Sequence, residues 1–227
     1  MIKHVFLDLD DTIFDFHKAE RIAIAGTLSM LGVEPTDATL KRYSEINRSQ
    51  WELLERGELT RERVLVRRFE LLFKELGVED RSVEARRNYE SRLAIGHYFM
   101  EGAEELLDAL YGKYRLYLAS NGTKAVQDGR IASSGISKYF DRIFISQEVG
   151  YEKPSPLFFD ACFAAIDGFK RDEAIIVGDS LTSDIKGGIN AGIRTCHFNV
   201  KGTEYKDVIP DYTVTKLSEL PKLLESI

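Results

Sequence analysis

Carboxylate side chains stand close together in two short segments of this 227-residue sequence. Asp8 and Asp10 lie in FLDLDDT, and Asp179 and Asp184 lie in IIVGDSLTSD. Each pair follows or ends an apolar run that predicts a buried strand. Because the carboxyl ends of parallel strands share one edge of a sheet, we expect the four groups to lie near one another. A hard divalent cation would relieve their mutual repulsion, so the sequence predicts a magnesium site.

Two further segments suggest that the chemistry concerns phosphate. Ser120 ends an apolar run, and Asn121-Gly122 opens the next predicted helix, whose N-terminal amides can hold a phosphate group. Lys153, in GYEKP, can balance the charges of a carboxylate and of phosphoryl oxygens. Other interpretations remain open: Ser120 could simply cap the helix, Lys153 could be a surface lysine, and Asp184 could be a helix-start carboxylate.

Apolar segments that predict strands alternate with segments that predict helices. Strands are expected at residues 5–9, 116–118, 143–145, 174–177, 195–198 and 212–214. Helices are expected at about residues 123–133, 156–166 and 183–191, the last of them ending at Gly192. This alternation predicts an α/β fold in which a parallel sheet is covered by helices on both faces. Gly187 and Gly188 within a helix indicate close packing rather than chemistry.

Residues 17–96 have a different pattern, without any segment typical of a strand. Thr36 and Thr60 predict helix N-termini, and Gly77 predicts a helix C-terminus. One stripe of an amphipathic helix is formed by Leu65, Phe69, Leu72 and Leu76. We therefore expect an all-helical cap at residues 17–96, inserted into a catalytic core of residues 1–16 and 97–227. An insertion after the first strand would lie where a lid over an active site belongs.

Composition narrows the range of partners. Hydrophobic residues make up 44% of the chain, and the formal net charge is −6. An acidic chain is a poor partner for polymeric nucleic acid, whereas a bound metal ion still allows a small phosphate ester. The N-terminal apolar run is too short for a signal peptide, and no stretch is long enough to cross a membrane. Two isolated cysteines fit free thiols in a cytoplasmic enzyme. The oligomeric state is left open.

Four motifs together resemble the haloacid dehalogenase superfamily: DLDDT, LASNG, the lysine of EKP, and GDSLTSD, in that order. The resemblance covers essentially the whole chain. It implies a Rossmann-like parallel-sheet core with a helical cap inserted after the first motif. Dehalogenases of the superfamily lack the second aspartate of that motif, so Asp10 favours phosphate chemistry over carbon–halogen cleavage.

The resemblance also implies roles for single residues. Asp8 would attack phosphorus and become an aspartyl-phosphate, and Asp10 would protonate the leaving oxygen and then activate water. Magnesium would bind the Asp8 carboxylate, the Asp10 carbonyl oxygen and Asp179. Lys153 would act beside the nucleophile. The residues expected to hold the phosphoryl group are Ser120, Asn121, Gly122 and Lys153, and those expected to support the site from behind are Thr12, Ser180 and Asp184.

A narrower resemblance, to the pyrimidine 5′-nucleotidase branch, rests on YSEINRSQWELLERGELT, RRFELLFKELG, ISQEVGYEKPSPLFFD and DIKGGINAGIRTCHFN. It implies that the substrate is a nucleoside monophosphate. Phe14, Phe16 and Trp51 could then stack on the base, and Asn47 or Arg68 could hydrogen-bond it, although packing within the cap is an equal alternative for the aromatic residues.

Other functions also fit the fold. A sugar-phosphate phosphatase or a phosphoglucomutase-like phosphotransferase would use the same motifs on a different ester. A non-catalytic binding protein on this fold would be expected to have lost parts of the first motif, but Asp8 and Asp10 are both present.

Overall fold

A computed structural model describes residues 1–227, and the chain divides into two compact units. The first unit consists of Met1–Asp15 and His97–Ile227, and the second is Phe16–Gly96. Both cysteines are free and buried. No helix is long and apolar enough to cross a lipid bilayer.

The first unit contains one parallel sheet of six strands in the order β3-β2-β1-β4-β5-β6. The strands are β1 His4–Leu7, β2 Arg115–Ser120, β3 Arg142–Ile145, β4 Ala174–Gly178, β5 Arg194–Phe198 and β6 Tyr212–Val214. Pairs in register include Leu7 with Leu118 on one side of β1 and Leu7 with Val177 on the other. The α/β fold expected from the sequence is confirmed.

Both faces of the sheet are buried, which explains why β1 and β4 are apolar at nearly every position. Val5 and Leu7 pack into a cluster on one face, whereas Phe6 packs into a second cluster on the other. Successive side chains of a strand point to opposite faces, so a strand covered by helices on both sides needs an apolar run rather than an alternating pattern.

The helices of this unit follow the strands in the manner of βαβ units. They are α5 Ala103–Leu110, α6 Lys124–Ser134, α7 Ser146–Val149, α8 Pro156–Ala164, α9 Lys186–Ala191 and α10 Leu220–Glu225, numbered after the four helices of the second unit. Along the chain, the strands after β1 extend the sheet to one side and then to the other. The order therefore reverses between β1 and β4, and ligands bind at such a switch point in open α/β sheets.

The second unit is helical throughout, with α1 Phe16–Met30, α2 Asp37–Glu55, α3 Arg61–Leu76 and α4 Ser82–Leu93. Thr36 and Thr60 are the N-caps of α2 and α3, and Gly77 ends α3 in a left-handed conformation, as the sequence predicted. The stripe predicted on α3 is buried at Leu65, Phe69 and Leu72. Leu76, in contrast, is 37% exposed, because it lies in the last turn of the helix.

Two boundaries differ from the sequence-based expectation. The first strand was expected to reach residue 9, but β1 ends at Leu7 because the Leu9 carbonyl accepts hydrogen bonds from the amides of Ile13 and Phe14, 3.0 and 2.8 Å away. The helix expected to begin at residue 183 is preceded by a π-helical turn, Leu181–Ile185, and continues as α9. Both differences fall beside carboxylates, where the backbone turns to present a side chain.

Gly187 and Gly188 pack as the sequence indicated. A Cβ atom at Gly188 would lie 2.5 Å from Ile176 Cγ2 and 2.6 Å from Thr195 Cγ2, and one at Gly187 would lie 2.7 Å from Phe159 Cε2. Gly188 therefore allows α9 to lie directly against β4 and β5, and Gly187 allows it to lie against α8.

Replacement of Gly188 by Ala should lower the free energy of unfolding by about 1–3 kcal/mol, because the new methyl group meets two stiff β-branched side chains. Urea denaturation would measure the change. Gly26→Ala is a matched control in α1, since its methyl group would meet the Arg92 guanidinium, the movable end of a long side chain. The control should be neutral or slightly stabilising, and equal losses in both variants would contradict the packing argument.

Candidate active site

The chain makes a tight turn directly after β1. The Asp8 amide still donates to the Val177 carbonyl oxygen, 2.9 Å away, and so continues the pairing with β4. Asp11 then adopts a left-handed conformation with φ 58°, and its amide donates to the Phe14 carbonyl oxygen at 2.7 Å. The turn leaves the Asp8 side chain buried and the Asp10 side chain 29% exposed at the carboxyl edge of the sheet.

Lys153 contacts the Asp8 carboxylate directly. Its side chain is 1% exposed, and Nζ donates to Asp8 Oδ1, Asp184 Oδ1 and the Ala119 carbonyl oxygen, each 2.6 Å away. All three donor positions of the ammonium group are therefore used. A charged group this deeply buried is stable only with such partners, because an unpaired buried charge costs several kcal/mol.

Burial and the ion pair between Lys153 and Asp8 act in opposite directions on the pKa values of both residues. Burial alone would lower the pKa of Lys153, but the charges of Asp184 and Asp8 and their hydrogen bonds outweigh it and raise that pKa above its ordinary value. Burial raises the pKa of Asp8, the Lys153 ammonium opposes this, and the charges of Asp184, Asp10 and Asp179 add to it. Asp8 therefore needs positive charge nearby to remain an ionised nucleophile.

Asp179 and Asp184 reach the same place from the end of β4. Oxygens of Asp8, Asp179 and Asp184 all lie within 4.8 Å of one another. Asp184 accepts from Lys153 through Oδ1 and from the Ser180 amide through Oδ2, 3.1 Å away. A Cβ atom on Gly178 would lie 2.2 Å from Asp184 Oδ2, so the glycine at the strand end makes room for this carboxylate. Ser180 itself caps the π-helical turn through a hydrogen bond from the Ser183 amide.

The donor chemistry of this cluster fits magnesium. The side-chain atoms that could bind a metal ion here are carboxylate oxygens, which suit a hard divalent cation, and the group includes no sulfur or imidazole nitrogen. Burial raises the pKa of Asp179 to about 8, with the charges of Asp184 and Asp11 adding to the effect. Such a group is ready to exchange its proton for a bound cation.

His197, to which the sequence assigned no role, supports Asp179 from behind. Its Nε2 lies 2.9 Å from the Asp179 carbonyl oxygen, which can only accept, so Nε2 carries a proton. Its Nδ1 lies 2.9 Å from the Tyr205 hydroxyl, which donates to it when the ring is neutral. Burial lowers the pKa of His197 and favours that neutral form.

The residues after β2 are used in different ways. Ser120 is 1% exposed, and its hydroxyl oxygen accepts from the Gly122 amide at 3.1 Å. The Asn121 side chain bonds the backbone of Lys153 at both ends, donating to its carbonyl oxygen and accepting from its amide, each at 2.8 Å. The Asn121 side chain thus positions the backbone of Lys153.

Asp10 is contacted by two residues of α6 for which the sequence predicted no role. The Arg130 guanidinium pairs with Asp10 Oδ1, and Gln127 Nε2 donates to Asp10 Oδ2, 2.7 Å away. They are three residues apart and therefore share one face of the helix. This spacing was the only signal in the sequence that could have indicated their role. It was not sufficient, because arginine and glutamine are common on exposed helix faces, and the sequence does not show which face of α6 is buried.

Two predicted residues have other surroundings than expected. The Thr12 side chain is fully buried, and its hydroxyl has no hydrogen-bond partner, so the turn around Asp10 is held by backbone bonds instead. Phe14 is fully buried in the sheet-face cluster and packs edge-on against Phe99, with ring centroids 5.2 Å apart. Phe14 therefore has no exposed ring face to offer a base.

The remaining predicted residues belong to the helical unit. Asn47 and Arg68 are 2% and 3% exposed, and Arg68 donates to Asn47 Oδ1 at 2.9 Å. Asn47 in turn donates to the buried Glu20 at 2.7 Å and accepts from Trp51 Nε1 at 3.1 Å. Trp51 is half-buried, as is Phe16. A polar network inside the unit thus holds the indole of Trp51 in place.

Comparisons with known proteins agree on one family. A family model described as haloacid dehalogenase-like hydrolase matches residues 2–192. The pyrimidine 5′-nucleotidase PynA of Streptococcus pneumoniae is 36% identical over 225 residues, which is 98% of this chain and 95% of PynA. The pyrimidine 5′-nucleotidase YjjG of Escherichia coli is 32% identical over 97% of this chain and 96% of YjjG.

A solved structure agrees with the sequence matches. The crystal structure of the HAD-hydrolase YfnB from Bacillus subtilis, bound to magnesium, superposes with a TM-score of 0.94. It is 35% identical in sequence, and the match covers 98% of each chain.

The raised pKa of Asp179 predicts a pH-dependent stability in the absence of divalent cations. The native protein keeps the proton on Asp179 up to about pH 8, whereas the unfolded chain releases it near the ordinary value of 3.8. Stability should therefore fall as the pH rises through this interval, by up to about 1.4 kcal/mol per pH unit from this group.

Urea denaturation in a chelator at several pH values would measure this fall. The difference between the wild type and Asp179→Asn isolates the contribution of Asp179, since all other ionisable groups are present in both proteins. The slope should be smaller in Asp179→Asn and unchanged in Asp207→Asn, which alters an exposed aspartate before β6. An identical slope in all three proteins would refute the assignment.

Proposed function

Because this chain is a phosphatase of the haloacid dehalogenase-like hydrolase family, we propose that it is a magnesium-dependent 5′-nucleotidase acting on pyrimidine nucleoside monophosphates. The observation that carries this proposal is the buried Asp8 carboxylate, 2.6 Å from Lys153 Nζ and grouped with Asp179 and Asp184 at the switch point of the sheet. This arrangement presents one carboxylate to a phosphate ester and gives it cationic support.

The proposed reaction has two steps that share one nucleophile. Asp8 attacks phosphorus, the bond from phosphorus to the nucleoside oxygen breaks, and Asp10 gives that oxygen a proton. Water then attacks phosphorus, Asp10 takes a proton from it, and the bond from Asp8 to phosphorus breaks to release phosphate. Lys153 offsets negative charge at Asp8 in both steps, and Ser120 with the following amides holds phosphoryl oxygens.

Magnesium, when bound, would supply the positive charge that stabilises the transferring phosphoryl group. Asp8 and Asp179 are the proposed carboxylate ligands, together with the carbonyl oxygen of Asp10. Asp184 is proposed to orient the site, because its two oxygens are already engaged by Lys153 and by the Ser180 amide. The magnesium bound in the structure of YfnB supports a magnesium site in this chain.

The nucleotide is proposed on two grounds. PynA and YjjG, which match nearly the whole chain, are both named pyrimidine 5′-nucleotidases. The helical unit also holds a half-buried tryptophan, whose ring nitrogen is fixed by Asn47 and whose face lies 5.5 Å from the Arg61 guanidinium. We assign stacking on the base to Trp51 and Phe16, and the positioning of Trp51 to Asn47 and Arg68.

A panel of phosphate esters would test the substrate. Uridine and thymidine monophosphates should have a kcat/KM at least about tenfold above that of ribose 5-phosphate, which lacks the base. Trp51→Ala should raise KM for the nucleotides about tenfold through lost stacking, and it should leave turnover of ribose 5-phosphate unchanged. Preferential hydrolysis of sugar phosphates, with no effect of the tryptophan, would favour a sugar-phosphate phosphatase instead.

Asp8→Asn should lower kcat by a factor on the order of 10⁴ or more, because the amide cannot form the covalent intermediate. A chelator should also abolish turnover, and added magnesium should restore it. Release of inorganic phosphate measures both effects. Asp160→Asn, a change to an exposed aspartate paired with Arg171, is the matched control and should remain active. Activity surviving in Asp8→Asn would exclude the proposed mechanism.

A further inference from the structure

The Asp10 carboxylate is held at both oxygens by side chains of α6. Arg130 Nη1 pairs with Oδ1, and Gln127 Nε2 donates to Oδ2 at 2.7 Å. The two side chains are also joined to each other, since Arg130 Nη1 donates to Gln127 Oε1 at 3.0 Å. A carboxylate fixed at both oxygens by a connected pair of donors has little freedom to rotate.

Arg130 is a costly residue to keep at this place. Its side chain has no exposed surface, although a buried guanidinium loses its hydration and is stable only when paired. The guanidinium carbon lies 5.1 Å from the centre of the Phe14 ring, which belongs to the turn that carries Asp10. Arg130 therefore contacts this turn twice, once through the carboxylate and once through the ring.

Gln127 connects Asp10 to the phosphate-binding side of the site. Its Nε2 donates to the Ser120 hydroxyl oxygen at 2.9 Å as well as to Asp10. A Cβ atom on Gly122 would lie 2.2 Å from this same Nε2. The glycine of the LASNG segment thus leaves the space in which the Gln127 amide bridges Ser120 and Asp10.

We propose that Gln127 and Arg130 are positioning residues for Asp10, holding its carboxylate where it can protonate the leaving oxygen and later accept a proton from water. This inference rests on the proposed function, in which Asp10 is the acid/base. A general acid must stay within hydrogen-bond reach of the atom it serves, and Asp10 lies in a tight turn and is partly exposed. Without α6, the side chain could rotate into solvent.

Substrates with different leaving groups distinguish positioning from a structural role. A nucleoside leaves as a strongly basic oxygen and needs the proton from Asp10, whereas p-nitrophenol leaves readily without it. Gln127→Met and Arg130→Met should therefore slow single-turnover release of nucleoside by on the order of 10²-fold. With p-nitrophenyl phosphate, both variants should still release a burst of one p-nitrophenol per active site, followed by slow turnover.

Two further variants complete the experiment. Arg130→Lys, which keeps a cation, should recover part of the lost rate. Arg171→Met is the matched control, because Arg171 also lies over a phenylalanine ring, 5.2 Å from Phe163, and pairs with an aspartate. It should keep the wild-type rate. Should Arg130→Met fail to fold, as judged by its thermal unfolding, Gln127→Met decides the question, because it removes a neutral side chain only.

Several results would overturn the inference. The Gln127 and Arg130 variants could release nucleoside as fast as Arg171→Met, or faster than the wild type. Either result would show that α6 does not position Asp10 in the reaction. A burst that shrinks in proportion to kcat would indicate lost protein rather than a misplaced acid. These outcomes differ from failure of the proposed function itself, in which the wild type would hydrolyse no nucleotide or Asp8→Asn would retain activity.

Discussion

The buried ammonium group of Lys153 allows the carboxylates at the edge of the sheet to lie close together. Asp8 and Asp184 approach it at 2.6 Å from the ends of two neighbouring strands. Without it, the two buried carboxylates would face each other and Asp179, and their ionised forms would be strongly disfavoured. The position of Lys153 depends in turn on Asn121, which bonds its backbone twice. The segments after β1, β2 and β4 are therefore joined through one side chain.

A second buried cation has a comparable place on the other side of the turn. Arg130 pairs with Asp10 as Lys153 pairs with Asp8, so Asp8 and Asp10 of the first motif each have a basic partner from a later part of the chain. The two pairs differ in character. An ammonium group makes three separate point contacts, whereas a planar guanidinium combines an ion pair with a ring contact. The first arrangement suits a nucleophile whose charge must be balanced, and the second suits a group whose orientation must be kept.

The α/β core could be predicted from the sequence because its signals are local. Apolar runs marked all six strands, and four motifs in order indicated the family that the comparisons confirm. What the sequence could not provide was the use of each polar side chain. Asn121 and Gln127 are both amides near the same strand end, yet one holds Lys153 and the other holds Asp10. Such roles depend on which helix face is buried and on contacts between residues 32 and 117 positions apart. The periodicity of the sequence carries no information about such contacts.

Two glycines of the motifs leave space that the site needs, because a side chain at either position would displace a functional residue. Neither Gly122 nor Gly178 has a positive φ, so the backbone conformation does not require glycine at either position. Space does: a methyl group at either position would lie 2.2 Å from a polar atom of Gln127 or Asp184. Each of those two side chains orients a neighbour, Asp10 in one case and Lys153 in the other. The two glycines thus affect the site indirectly, by leaving room for Gln127 and Asp184. The position of each glycine in its motif is therefore tied to the geometry of the site.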